Sequence, residues 1–288
     1  TKPHKGGGRP LWVPSQRLID NSNLSRFITF VNNHFNLSIT NYSGLYNWSV
    51  TEIKDFWKAV WDFAEIICSR QYDKILTNPV MPGAKWFVGA RLNFAENLLR
   101  FRDKSTAIIS HDETGITSRI TYDELYQKVS VCAAGLRELG VAKGDRVAAY
   151  ITNTPEAVIA MLAASSIGAV WSSCSPDFGI QGVLDRFSQI KPKVLIAVAE
   201  YRYNGKKYDC SDKIAKIVFG LEELRKTIII HPPETNSELI GGSISWNEFM
   251  NRSAPPIEFE QLPFDHPLYI LYSSGTTGAK LMACWKRW

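Results

Sequence analysis

Residues Arg146 to Trp171 read RVAAYITNTPEAVIAMLAASSIGAVW, and this stretch decides the fold class. Gly140 and Gly144 bound a turn, after which Arg146 to Ile151 is a short apolar run of strand length. Thr154-Pro155 then supplies an N-cap and a first-turn proline, which opens a helix ending near Gly168. Ala169-Val170-Trp171 begins a second apolar strand. A strand buried on both faces, then a helix, then another such strand is the signature of a parallel β-α-β unit with a right-handed crossover.

The same texture extends outward in both directions. Ala107-Ile108-Ile109 reads as a strand. Thr121-Tyr122-Asp123-Glu124 is a capping box at the start of a helix running to about Leu139, because Thr121 and Glu124 can each satisfy an orphan amide at the helix start. Further strands are expected at Val194 to Val198, Thr227 to Ile230 and Leu268 to Tyr272, with helices between them. The predicted class is α/β, a mostly parallel sheet with flanking helices. Residues 1–100 differ: they are rich in aromatics, Asn and Ser. One helix is expected there from Thr51 to about Arg70, with Ile53, Phe56, Trp57, Val60, Trp61, Ala64 and Ile67 forming a stripe at helical spacing. The change of texture divides the chain near residue 100, into 1–100 and 101–288.

Bulk properties narrow the function classes. The chain has 288 residues, 45% hydrophobic and 21% charged, enough to bury a sizeable core and unlike a disordered segment. Its net charge of +5 is spread along the chain without a basic block, so nucleic acid is not the expected partner. The longest apolar stretch, roughly Ala157 to Trp171, falls short of the ~20 residues of a membrane span. Five cysteines (Cys68, Cys132, Cys174, Cys210, Cys284) have irregular spacing and no CxxC pair. Neither a disulfide framework nor a zinc site is expected, and a reducing, cytosolic setting fits.

The chemistry is concentrated where Leu268 to Tyr272 runs into Ser273-Ser274-Gly275-Thr276-Thr277-Gly278-Ala279-Lys280. In open α/β sheets ligands bind beyond the carboxyl ends of strands. Gly275 and Gly278 let the backbone bend towards a ligand, successive amides can form an anion nest, four hydroxyls add donors, and Lys280 adds charge. Such a loop suits a polyphosphate. It is not a Walker A loop, and there is no G-x-G-x-x-G fingerprint. Asp177-Phe178-Gly179 echoes a kinase metal motif without the accompanying H-R-D loop.

The segment Tyr272-Ser-Ser-Gly-Thr-Thr-Gly278 resembles the phosphate loop of the adenylate-forming superfamily, and the resemblance extends over nearly the whole chain. It includes Asp55-Phe56-Trp57, Trp86-Phe87-Val88-Gly89, Leu92-Asn93, Thr121 to Leu125, Lys143 to Val147 and Pro155-Glu156. These passages are similar to the short-chain acyl-CoA synthetase branch. Trp171-Ser-Ser-Cys-Ser-Pro-Asp-Phe-Gly179 resembles the acetoacetyl-CoA synthetase family, with acetyl- or propionyl-CoA synthetases as the alternative and a non-catalytic binding fragment as another. The resemblance implies ATP with Mg²⁺ as cofactor, CoA as co-substrate, and ligation of acetoacetate to CoA through acetoacetyl-AMP. It implies ATP-phosphate contacts by Ser273, Ser274, Gly275, Thr276, Thr277, Gly278 and Lys280, and CoA contacts by Arg202, Lys206 and Lys207. The family pattern has a Pro before the Lys that is absent here, leaving Lys280 one position early, and the tail departs from the pattern. From that departure the chain is expected to stop short of the remaining catalytic parts, to lack activity alone, and to leave an unpaired sheet edge at Tyr272.

Overall fold

Strand β-order in the main sheet is set by the β-α-β unit that the sequence announces. The computed structural model describes residues 11–80, 82–231, 241–272 and 282–285. The chain divides into two compact units, Thr1–Ile66 and Ile67–Trp288.

In the first unit, helices α1 (Asn23–Phe35), α2 (Tyr42–Thr51) and α3 (Ile53–Phe63) enclose Phe27, Val31, Leu45, Trp48 and Ala59, with Phe56, Val60 and Phe63 packed around them. The helix expected from Thr51 to Arg70 is thus shorter at both ends. Glu52 caps α3 with non-helical backbone, and Glu65 adopts φ 50°, which turns the chain out of the helix. Cys68–Arg70 is a strand, paired with Arg91–Leu92. Of the apolar stripe, Phe56 and Val60 join the core, whereas Ile53 and Trp57 are exposed.

The second unit holds the α/β sheet. A hairpin, β1 (Thr106–Asp112) and β2 (Gly115–Thr121), precedes α4 (Tyr122–Glu138). The capping box forms: Thr121 Oγ1 accepts from the Glu124 amide at 3.2 Å, and Glu124 Oε2 accepts from the Thr121 amide at 2.8 Å. Then follow β3 (Arg146–Tyr150), α5 (Pro155–Ser166), β4 (Val170–Cys174), α6 (Ile180–Ile190) and β5 (Val194–Val198). A small hairpin, β6 (Glu200–Tyr203) and β7 (Lys206–Asp209), leads to α7 (Ser211–Phe219), β8 (Lys226–Ile230), β9 (Ile244–Ser245), α8 (Trp246–Met250), β10 (Tyr269–Tyr272) and β11 (Met282–Trp285).

The seven-stranded sheet runs β9-β8-β5-β3-β4-β10-β11. All neighbours are parallel except β10 and β11, which pair antiparallel from Tyr269↔Trp285 to Tyr272↔Met282. The edge expected to stand open at Tyr272 is therefore covered by β11. Side-chain alternation divides the core in two. Val147, Ala149 and Ile151 face α4, α5 and α8, while Ala148 and Tyr150 face α6 and α7. Among the described residues no helix is long and apolar enough to cross a membrane.

Candidate functional site

The chain leaves β3 towards the face covered by α5, and it leaves β4 towards the opposite face, covered by α6. Two neighbouring strands whose exits diverge open a crevice at their carboxyl ends, the topological switch point at which α/β sheets take ligands. A cavity of about 390 Å³ lies there, lined by Ile151, Thr152, Asn153, Trp171, Ser173 and Cys174. Thr154 stands at the N-cap position of α5 but makes no side-chain cap bond, and its hydroxyl oxygen is buried without a hydrogen-bond partner. The N-cap read in the sequence is positional only.

One wall of this edge is pinned from below. Tyr150, fully buried at the end of β3, places its hydroxyl 2.6 Å from the Pro176 carbonyl and 3.0 Å from that of Phe178. Burial pushes its phenol well above the ordinary value. Lys213 Nζ donates to the same Pro176 carbonyl at 3.3 Å, and Ser175 Oγ donates to Asp177 at 2.9 Å. The Asp177-Phe178-Gly179 turn is a structural entry to α6 held by these bonds.

The root of the predicted phosphate loop is pinned as firmly. Strand β10 shares one register pair with β4, Tyr269↔Trp171, and the Ser172 hydroxyl adds a bond to the Ile270 carbonyl at 2.9 Å. Arg186 is 6% exposed, and its guanidinium lies 4.4 Å from the Phe178 ring and 5.5 Å from that of Tyr272. Its main-chain carbonyl accepts the Tyr272 hydroxyl at 2.9 Å. Burial is the main cause that pushes the Tyr272 phenol up to about 12. Stacking between two rings compensates a charge removed from water.

Of the site residues read from the sequence, Ser273, Ser274, Gly275, Thr276, Thr277, Gly278 and Lys280 lie outside the described residues. Arg202, Lys206 and Lys207 are described, and they sit on the β6–β7 hairpin. Arg202 faces Lys207 and Tyr203 faces Lys206 across it, Tyr201 stacks on Tyr208 at 5.1 Å, and Lys207 Nζ lies 3.4 Å from Glu200. The Asn204-Gly205 pair between the strands is the turn dipeptide that marks such a hairpin. Tyr150 and Arg186 were not legible as site residues. The usable signal for Arg186 was its place on the buried stripe Val183, Arg186, Phe187, Ile190, where a charged residue is out of pattern. Among the described residues no three His, Cys, Asp or Glu side chains gather as a metal cage.

A parallel sheet with a crevice of mixed polar and apolar lining at its switch point has the architecture in which α/β proteins take ligands beyond their strand ends. Residues 94–280 match the family described as AMP-binding enzyme, so the chain belongs to that family. Residues 42–98 match a second family, acetyl-coenzyme A synthetase N-terminus. Within this class the chain is similar to acetoacetyl-CoA synthetases. It is 43% identical to that of Danio rerio over 282 residues, 93% of this chain and 42% of the relative. It is 43% identical to that of Rhizobium meliloti over 274 residues, 94% of this chain and 42% of the relative. The solved structure of acetoacetyl-CoA synthetase from Streptomyces lividans superposes with a TM-score of 0.89 at 41% identity, covering 96% of this chain and 43% of that one. The chain thus spans less than half the length of the relatives it matches.

Proposed function

We propose that these residues serve an acetoacetate–CoA ligase that works through acetoacetyl-AMP. The observation that carries this reading is the identity of 43% with acetoacetyl-CoA synthetases over nearly all of the chain. In the proposed reaction a carboxylate oxygen of acetoacetate attacks the α-phosphorus of ATP, and pyrophosphate leaves. The CoA thiol then displaces AMP and forms the thioester. Ser273, Ser274, Gly275, Thr276, Thr277 and Gly278 hold the β- and γ-phosphates through amides and hydroxyls, and Lys280 adds charge, so the leaving group is fixed in line and stabilised. The clamp of Arg186 on Tyr272 fixes the strand from which that loop departs. Mg²⁺ would arrive with the nucleotide and would supply further charge compensation. Arg202, Lys206 and Lys207 take the nucleotide end of CoA. Residues 1–100 act as the cap region and 101–288 as the first part of the nucleotide-binding domain, in the cytosol.

A second reading, acetyl- or propionyl-CoA synthetase, draws on the match of residues 42–98 to the acetyl-coenzyme A synthetase N-terminus. One assay separates the two. The 288-residue chain, and a chimera that continues it with the remaining part of the Streptomyces lividans enzyme, are given ATP, Mg²⁺, pyrophosphate and one acid at a time. The chimera is expected to exchange pyrophosphate with acetoacetate in preference to acetate and propionate. The chain alone, at 42% of its relatives' length, is expected to show none. Preference for acetate or propionate would refute the acetoacetate reading, and exchange by the chain alone would refute its dependence on the rest.

A further inference from the structure

The turn of the β6–β7 hairpin already holds an anion, and the anion is the protein's own. Asn204 and Gly205 both have positive φ, 51° and 71°. The carboxylate of Glu113, from the turn between β1 and β2, accepts from both of their amides: from Gly205 at 2.8 Å through one oxygen and from Asn204 through the other. Two consecutive amides gripping one carboxylate form an oxyanion seat. Cations flank it, with Arg202 opposite Lys207 and Lys206 beginning the return strand.

Two of the nearby cations face carboxylates of the protein itself. Lys207 is 3.4 Å from Glu200. Asp112, beside Glu113, has its carboxyl held below the ordinary value mainly by the Thr114 hydroxyl and amide, with the charge of Arg202 contributing. The arrangement is a basic anion seat with carboxylates of the protein close to it. Glu113 is exposed, so a carboxylate that leaves the seat regains water at little cost. A phosphate ester brings more charge and more acceptor oxygens to the same two amides and three cations than a carboxylate does.

We propose that Glu113 is an internal competitor, occupying the oxyanion seat that a phosphate group of CoA takes on this hairpin. This rests on the reading of Arg202, Lys206 and Lys207 as CoA-facing. Glu113 then sets how much of the hairpin is open to ligand, and the apparent affinity is reduced by the fraction of molecules in which the seat is filled.

The test titrates CoA into the 288-residue chain and follows the Asn204 and Gly205 amide NMR signals. Three proteins are compared: the unaltered chain, Glu113→Gln and the double variant Lys206→Gln/Lys207→Gln. Removing the competitor is expected to tighten CoA binding by about threefold to tenfold, and removing the cations to weaken it. A mere brace would act in the opposite sense, because losing Glu113 would then loosen the hairpin and weaken binding. Weaker or unchanged binding by Glu113→Gln, with weakening by the lysine variant, overturns the competitor role and leaves the CoA reading standing. Amide signals that ignore CoA in all three proteins overturn both.

Discussion

The hydroxyl of Tyr272 donates to the main-chain carbonyl of Arg186 at 2.9 Å, while the guanidinium of the same arginine lies 5.5 Å from the Tyr272 ring. Strand β10 is thereby fastened to helix α6 as well as to its parallel neighbour β4, with which it shares a single register pair. Tyr272→Phe keeps the ring and the stacking but leaves the Arg186 carbonyl without this donor. A half-buried hydrogen bond of this kind is worth about 1 kcal/mol. Urea unfolding is expected to show a loss of that order, with faster amide exchange concentrated at Ile270 to Tyr272. Unchanged exchange there would mean that the bond does not anchor the strand.

Asn93 is a larger case. It is fully buried, and its amide nitrogen lies 3.1 Å from the Ser165 and Ser166 carbonyls and 2.9 Å from that of Glu260, while its oxygen accepts from the Glu96 amide at 3.2 Å. It ties the end of α5 to two distant segments. Asn93→Asp has nearly the same shape but cannot donate, and it brings a carboxylate to three carbonyls. A loss of about 3 kcal/mol or more is expected for both Asn93→Asp and Asn93→Ala. Chemical denaturation that finds Asn93→Asp within about 1 kcal/mol of the parent would contradict this account.

What the sequence revealed and what it hid follow from the range of the forces involved. The sheet was legible because Arg146 to Ile151, Ala169 to Trp171 and Val194 to Val198 are short, mostly apolar runs bounded by Gly, Pro and polar turns, all local signals. The capping box at Thr121 and Glu124 was legible for the same reason. The end of α3 was not, since apolar spacing continues to Ile67 while the break comes from a left-handed Glu65. Strand β11 was not expected from the sequence, and it pairs antiparallel with β10. The clamp of Arg186 and Tyr272 joins residues 86 positions apart, which no window of sequence reports.

The capping box also gives a pH dependence. Bonds from the Thr121 amide and then its hydroxyl hold the Glu124 carboxyl below its ordinary value of 4.5. A carboxyl lowered on folding stabilises the fold above its unfolded value, and that contribution is lost as pH falls through the folded value. The stability gap between the parent and Glu124→Gln is therefore expected to be constant above about pH 6 and to close in the acid range below the ordinary Glu value. Unfolding free energies measured at several pH values between 3 and 7 check this, and a gap independent of pH would rule it out.

Burial sets the reactivity of the thiols. Cys132 is completely buried and its thiol is pushed far above the ordinary value, and burial likewise pushes Cys210 up to about 11. Thiolate is the reacting species, so both are expected to resist iodoacetamide at pH 8 in the folded chain and to react once urea unfolds it. Mass mapping that finds either labelled as fast in the native chain as in the unfolded one would mean that these positions open readily.

Gly135 sets two effects of known size against each other. It lies inside α4, where replacing Gly by Ala ordinarily stabilises a helix by about 1 kcal/mol. A Cβ there, however, would meet the Phe249 ring at 2.6 and 2.7 Å and the Arg252 guanidinium carbon at 3.1 Å. Phe249 is itself fully buried, on α8, so the ring has no free space into which to retreat. Forcing extra volume into such a contact costs about 1–3 kcal/mol. The clash wins, and Gly135→Ala is expected to lower stability by about 1 kcal/mol in spite of the better helix former. The double variant Gly135→Ala/Phe249→Leu should lose less than the two single variants summed, because the smaller side chain makes room for the methyl. Additive losses in that thermodynamic cycle would show that the α4–α8 contact is not what requires glycine.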